Sequence, residues 1–463
     1  MGAQLIVLAG SPFLTRLYSP AEFGTLSVYS SLLATLVVIS SLRYDLAIVL
    51  PRSDSQARRI AWLCLLVVCG MSLLCGLVLL VFRKKIDDVL NVPAADSLLV
   101  WLPVGLLLAG TYQICMQLAT RNKGFKDIAK TKVQQAGAMT GTQLAAGLAG
   151  LGVSGLLAGQ ILGQSAGLVR LYRKFGRQTL KPVPRRRLAA IARRYERFPK
   201  FTTAGALLNT AGHYMPSFLL AVLFSPVAAG LYLLAQRVGS QPLTMIGRAV
   251  GQAFLADAAA SEREGRLGQL VADVGRDLSK IGIVPIILFG VMAPDLFGIV
   301  FGKSWIEAGR FLQWLMPWMA VQFVFSPLAA ALAVAGAQDK MLWLQIALFG
   351  ARLFAILLGF LLGDFHLAVA AFGVVSFLVM LAFGYVVAKV SGAETSRIFT
   401  VISMEAVAGA ALGGLAIAVS ALTSAASTPY VIVAVCGVCA LLYGVRSAHI
   451  VLRKRHDRAA NCH

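Results

Sequence analysis

The sequence predicts an all-α membrane protein that crosses the bilayer about fourteen times. Its 463 residues are 58% hydrophobic and only 13% charged, which is too little charge for a water-soluble chain of this length. The hydrophobic residues come in runs of about 20, the length at which a helix crosses the hydrocarbon core. Because lipid cannot satisfy backbone hydrogen bonds, each run must form a helix.

The runs of hydrophobic residues place the spans along the chain and orient them. The predicted spans cover residues 1–15, 23–50, 58–82, 98–120, 127–152, 153–172, 201–224, 227–255, 280–301, 311–336, 341–363, 366–388, 398–422 and 428–446. With a cytoplasmic N-terminus, most Lys and Arg residues fall on cytoplasmic segments, as membrane insertion favours. The even number of spans then puts both termini in the cytoplasm. The basic run 83–85 is predicted on the outer side of the membrane, against this preference for cytoplasmic Lys and Arg.

A short motif that occurs twice predicts two related lobes. Residues 19–24 read SPAEFG, and residues 225–230 read SPVAAG. Each copy opens a group of six spans, so the two lobes should be pseudo-symmetric, with an axis along the membrane normal. The predicted organisation is an N-terminal lobe at 1–172, a cytoplasmic linker at 173–200, a C-terminal lobe at 201–388, two further helices at 398–446 and a basic cytoplasmic tail at 447–463.

Three segments of this organisation have distinct features. The first span is short, so we expect either a tilted, shielded helix or a protein that begins upstream of Met1. In the sixth span, four glycines from Gly155 to Gly167 recur every four residues and predict close helix packing. The linker carries apolar residues at helical spacing between arginines, which predicts an interfacial helix on anionic lipid headgroups. These residues are Leu188, Ile191, Ala192, Tyr195 and Phe198.

Ionisable side chains within the spans mark the candidate site, because such groups are costly in lipid and face a protein interior or a wet cavity. Arg43 and Asp45 lie near the end of the second span, and Arg352 lies in the eleventh. Arg43 corresponds to Arg248 in the second copy of the repeat. Two interpretations of Arg43 and Asp45 stay open: structural contacts with neighbouring helices, or a role at a cavity.

The eighth span carries the most ordered polar pattern. Arg237, Gln241, Thr244, Arg248 and Gln252 follow one another every three or four residues, which puts them on one helix face. Such a polar face is costly in contact with lipid, so it should line either the interior of a helix bundle or a cavity. Proline at position 242 should kink this helix.

A cavity rich in arginine and poor in acids suits an anionic substrate. Phosphate or pyrophosphate is the leading candidate for the anionic group, because arginine binds two phosphate oxygens at once. The predicted substrate-binding residues are Arg43, Arg237, Arg248, Arg352, Asn209, His213, Tyr214, Gln241 and Thr244. Asp45 is the candidate for coupling transport to H⁺ or Na⁺. We find no motif for a nucleotide, a metal or a catalytic nucleophile, and hence expect no cofactor and no enzymatic activity. The net charge of +22 lies mainly on cytoplasmic segments, so it does not indicate nucleic-acid binding.

Three stretches resemble a known family. The run LTRLYSPAEFG at 14–24, the run SLRYDLAIVLP at 41–51 and the run FGKSWIEAG at 301–309 resemble the Wzx-type polysaccharide exporters of the MOP superfamily. That superfamily also contains the multidrug MATE transporters and the lipid II flippases. The resemblance implies a flippase that moves an undecaprenyl-pyrophosphate-linked oligosaccharide across the bacterial inner membrane by alternating access. It also implies polysaccharide polymerase or export machinery as partners.

Two other functions stay open at this point. A MATE-type multidrug or small-molecule antiporter would need acidic groups in its cavity to attract cations. A membrane polysaccharide polymerase or ligase would need catalytic groups on a large outer loop, whereas the longest predicted outer loop spans only about residues 83–97.

Overall fold

The computed structural model describes residues 2–85, 95–177, 183–196, 198–422 and 427–460, and nearly all of these residues are helical. No β-strand occurs in these ranges. The chain divides into two compact units, Met1–Leu233 and Leu234–His463. Most of the predicted outer loop, residues 86–94, lies outside the described residues.

Among the described residues, the first unit has eight helices of known bounds and the beginning of a ninth. They are α1 Gly2–Leu17, α2 Pro20–Ser40, α3 Asp54–Val81, α4 Ala95–Arg121, α5 Phe125–Leu148, α6 Gly152–Leu171, α7 Arg185–Arg194, α8 Thr203–Leu223 and α9 Pro226–Arg263. A 3₁₀ turn forms at Tyr44–Val49, and single π-helical turns form at Tyr172–Gly176 and Phe198–Thr202. Within this unit, α5 packs along α6, α3 packs along α4, and α2 packs along α8.

The described part of the second unit contains the remainder of α9 and seven further helices. They are α10 Leu267–Val300, α11 Ile306–Phe325, α12 Ala330–Val334, α13 Gln338–Leu361, α14 Phe365–Ser391, α15 Thr395–Ala421 and α16 Thr428–Ala460. The long helix α10 packs against α11, α15 and α16. Val284 and Leu288 of α10 share a buried core with Ala416 of α15 and the free thiol Cys436 of α16.

The described helices confirm an all-helical polytopic membrane protein. Nine of them are long and apolar enough to cross a bilayer, and a tenth span results if the bent pair Lys303–Phe325 and Pro327–Val334 is counted as one. Helices α1, α5, α6 and α9 coincide with predicted spans but are not among these ten. The total of fourteen spans and the symmetry of the two lobes therefore stay predictions.

Helix α2 begins and ends at local signals, and its end differs from the prediction. Ser19 and Glu22 form a reciprocal capping box, with Pro20 in the first turn. The helix was expected to continue to residue 50, but it ends at Ser40. Leu42 and Arg43 adopt left-handed conformations, with φ of 49° and 61°, and the chain continues as the 3₁₀ turn. A left-handed residue cannot continue a right-handed helix, so hydropathy alone overestimated the length.

The repeated motif forms a backbone contact in the first unit. A Cβ atom on Gly24 would overlap the carbonyl oxygen of Pro226, and a Cβ atom on Gly230 would overlap the carbonyl oxygen of Pro20. The contact is thus reciprocal, with the proline of each copy against the glycine of the other. Only glycine lets the start of α2 approach the start of α9 this closely.

The glycines of the sixth predicted span have the packing role that their spacing indicated. On α6, Cβ atoms at these four positions would overlap Ala146, Gln143, Met139 and Thr131 of α5. Gln143 adds two hydrogen bonds: its Nε2 donates to the carbonyl oxygen of Leu156 at 3.1 Å, and its own carbonyl accepts from the Tyr18 hydroxyl at 2.7 Å. The glycine ladder therefore fixes α6 on α5, and α1 is tied to the same pair.

We predict that Gly24→Ala destabilises the protein by about 1–3 kcal/mol, because the added methyl group overlaps the Pro226 carbonyl oxygen. Without this overlap, the higher helix propensity of alanine would instead raise the free energy of unfolding by about 1 kcal/mol. The measurement is thermal unfolding of the purified protein in detergent. The matched control is Gly205→Ala on α8, where no atom lies within 4 Å of the new Cβ. Equal stabilisation by both substitutions would contradict the proposed backbone contact.

Candidate functional site

The predicted site residues are distributed over both units. The first unit holds Arg43, Asp45, Asn209, His213 and Tyr214, and the second holds Arg237, Gln241, Thr244, Arg248 and Arg352. Each group has its own local geometry.

Arg43 and Asp45 lie on a turn rather than inside a membrane helix, which corrects the position predicted for them. Asp45 is buried, and its Oδ1 accepts a hydrogen bond from the Ser41 hydroxyl at 2.6 Å. Arg43 is half-buried, and its Nε is enclosed without a hydrogen-bond partner among the described residues. A buried donor of this kind is costly, so Arg43 is the residue of this turn with unused capacity to bind an acceptor.

Two residues that the pattern of charges did not single out hold this turn in place. The Tyr44 hydroxyl donates to the carbonyl oxygen of Ala192 on α7 at 3.2 Å. Arg121, at the end of α4, donates to the carbonyl oxygens of Ile48, Pro51 and Arg52 and pairs with Asp54 at 2.9 Å. In the sequence, Arg121 was only one of several loop cations, so nothing distinguished it.

On α8, the three candidate residues differ in exposure. Asn209 and His213 are exposed and, being four residues apart, share one face of the helix. Tyr214 is half-buried, and its ring meets the His213 ring edge-on with centroids 5.2 Å apart. Amide, imidazole and phenol groups can each hydrogen-bond a hydroxyl.

The polar face predicted on the eighth span lies on one continuous helix, α9, which runs unbroken through Pro242. Arg237 and Gln241 are half-buried, whereas Thr244 and Arg248 are exposed. The Thr244 hydroxyl donates to the Gln241 carbonyl oxygen at 3.0 Å. The Gln241 Oε1 is buried and has no partner within the described chain. This face thus presents cationic groups and an unused amide group.

Arg352 has several partners within the second unit. Its Nε donates to the buried Ser376 hydroxyl at 2.9 Å. Its guanidinium carbon lies 4.6 Å from the centre of the Trp318 ring and 5.0 Å from that of Phe372. These contacts join α13 to α11 and α14, so Arg352 contributes to helix packing whether or not it also contacts a ligand. The sequence indicated the charge but not the two aromatic rings.

Comparison with known proteins identifies the fold. A family model described as "Polysaccharide biosynthesis protein" matches residues 13–310. The lipid II flippase MurJ, in an inward closed conformation, superposes with a TM-score of 0.77 at 8% identity, covering 98% of this chain and 97% of that one. An inward-facing multidrug resistance MATE family transporter of the MOP superfamily superposes with a TM-score of 0.53 at 15% identity, covering 84% of this chain and 96% of that one. No curated protein matches the sequence. The chain therefore shares its fold with these two transporters, as predicted.

We predict that Arg352→Ala lowers the free energy of unfolding by about 2 kcal/mol, from lost cation–π contacts and the lost hydrogen bond to Ser376. Thermal unfolding in detergent measures the change. The control is Arg310→Ala on α11, an exposed arginine paired with Glu307, for which we expect a loss of at most about 1 kcal/mol. Equal effects of the two substitutions would contradict the packing role of Arg352.

Proposed function

Because this chain belongs to the family of polysaccharide biosynthesis proteins, we propose that it moves an undecaprenyl-pyrophosphate-linked oligosaccharide across the bacterial inner membrane. The family match covers more than half of the chain. The fold is shared with a flippase of lipid II over nearly the whole length of both chains. This likeness supports a flippase whose substrate is attached to a lipid.

The observation that carries the proposal is the cationic character of the candidate residues, above all the unpartnered Nε of Arg43. Arginine presents its N–H groups in a planar fork that matches two phosphate oxygens. A pyrophosphate would supply acceptors to this donor and to the exposed Arg248. A cationic substrate would be repelled by the same groups.

In the proposed mechanism, the protein alternates between openings to the two sides of the membrane. Arg43 and Arg248 receive the pyrophosphate from the inner leaflet, and Arg237 and Arg352 hold it, or acidic sugars, deeper in a cationic cavity. The lipid tail stays in the bilayer while the sugars pass through. The residues that hydrogen-bond sugar hydroxyls are Asn209, His213, Tyr214, Gln241 and Thr244. Both termini are cytoplasmic, and polysaccharide polymerase or export machinery receives the product.

A multidrug antiporter is the second candidate function, since the MATE transporter shares the fold with a TM-score above 0.5. The two functions differ in the charge of the substrate. The third alternative, a polymerase or ligase, acts on the outer leaflet. The position at which lipid-linked oligosaccharide accumulates in deficient cells therefore separates all three.

We predict that cells lacking the protein accumulate undecaprenyl-pyrophosphate-oligosaccharide on the cytoplasmic leaflet and lose surface polysaccharide. Arg237→Ala or Arg248→Ala should fail to restore the surface polysaccharide, because each removes a guanidinium from the polar face of α9. Arg263→Ala, in the last turn of α9, is the matched control and should restore it. Immunoblots of membrane fractions check that the variants insert equally.

The outcomes distinguish the alternatives. Normal flipping with altered sensitivity to cationic drugs would indicate the antiporter, and accumulation on the outer leaflet would indicate a polymerase or ligase. Full activity of both α9 variants would contradict the assignment of this face to the substrate.

We also predict that Asp45→Asn abolishes the dependence of transport on an H⁺ or Na⁺ gradient, because the amide cannot bind or release the coupling ion as a carboxylate does. The amide oxygen can still accept the hydrogen bond from Ser41, so the turn should be retained. Transport into proteoliposomes with and without each gradient is the measurement. The control is Asp54→Asn, whose side chain is 92% exposed. Unchanged gradient dependence in Asp45→Asn would refute the coupling role.

A further inference from the structure

A small cavity of about 210 Å³ lies in the first unit between the start of α3 and helix α7. Ile60 of α3 and Ile191 of α7, both buried, form its apolar part. Its polar lining comes from both helices: Gln56 and Arg59 from α3, and Arg194 and Tyr195 at the end of α7. Two arginines, an amide and a phenol thus border one partly open space, and none of the described residues that line it is acidic.

The pocket is preformed because α7 is docked on the protein. Leu188 and Ile191 are only 7% and 8% exposed, and Ile191 shares a core with Tyr44, Ile48 and Ile60. The apolar face of the predicted interfacial helix is therefore covered largely by α3 and the 3₁₀ turn. At the end of α7, Arg193 and Arg194 are exposed.

The charged neighbours of the pocket leave its arginines available. Asp54, in the first turn of α3, pairs with Arg121, and Glu196, after α7, pairs with Lys200 at 2.9 Å. Arg194 lies over the Tyr195 ring at 5.9 Å, which orients it without neutralising it. Arg59 is half-buried. A cationic pocket with donors on two sides and an apolar wall suits a phosphate group, because charged donors form strong hydrogen bonds with phosphate oxygens.

We propose that this pocket binds a phosphate group, either on an anionic phospholipid headgroup or as a free phosphate anion, and that the bound group bridges α3 and α7. Basic pockets at the ends of membrane helices bind anionic headgroups in this way. The bridge would also stabilise the turn that carries Arg43, since Tyr44 donates to the Ala192 carbonyl oxygen of α7. The site differs from a general attraction of basic residues to the membrane, and it does not depend on what the chain transports.

The test uses the double substitution Arg59→Gln/Arg194→Gln in the full-length protein. Binding of phosphatidylglycerol is measured by native mass spectrometry after release from phosphatidylcholine nanodiscs of stated phosphatidylglycerol content, and binding of inorganic phosphate is measured by calorimetry. We expect binding of one of these probes to weaken by about tenfold or more, because a hydrogen bond to a charged group contributes about that factor. Loss confined to phosphatidylglycerol identifies a headgroup site, and loss confined to inorganic phosphate identifies a free-anion site.

The matched control is Arg58→Gln/Arg193→Gln, which removes the same charge from exposed positions one residue earlier on each helix, outside the pocket. It should leave binding unchanged. Ala190→Trp fills the pocket from its rim without changing the charge, and should weaken binding like the first double variant. Equal loss of binding in the two double variants would overturn the proposal. Unchanged binding in the first double variant, or in Ala190→Trp, would also overturn it. Thermal unfolding of each variant confirms that the fold is retained.

Discussion

The structure depends on one constraint: within lipid, every polar group must find its partner inside the protein. The backbone meets this constraint by forming helices, and the buried side chains meet it through neighbouring helices. For example, hydrogen bonds link Tyr18, just after α1, to Gln143 of α5, and Gln143 to the Leu156 carbonyl oxygen of α6. Arg352 meets it through a hydroxyl and two aromatic rings. Against this background, the enclosed Nε of Arg43 is one of a few buried polar atoms that have no partner among the described residues.

Periodicity predicted the fold class and the close packing of α6 correctly, because both depend on features that recur along one helix. The glycine ladder of α6 is of this kind, whereas the repeated motif indicated two related lobes and not the backbone contact between residues 19–24 and 225–230. The end of α2 could not be predicted in this way. Leu42 and Arg43 both have high helix propensity, and their left-handed conformation depends on the structure around them.

For the candidate site, the sequence indicated which side chains are cationic but not what surrounds them. Arg352 and Arg43 appeared equivalent in the sequence, yet one is held by Ser376, Trp318 and Phe372 and the other has a free donor. Arg121 stabilises a whole loop by donating to its carbonyl oxygens, and such a role requires the loop to be folded. Partners distant in sequence decide the role of a charge, so composition alone cannot assign it.

The docking of α7 on the protein changes which physical force could attract this segment to a membrane. An amphipathic helix that inserts its apolar face is held by the hydrophobic effect, which salt does not weaken. Because Leu188 and Ile191 are already covered by protein, the exposed arginines supply the attraction that remains. Coulombic attraction of exposed charges is screened over about 8–10 Å at physiological ionic strength. Any attraction of this segment to a membrane surface should therefore depend on ionic strength and on the surface charge of the lipid.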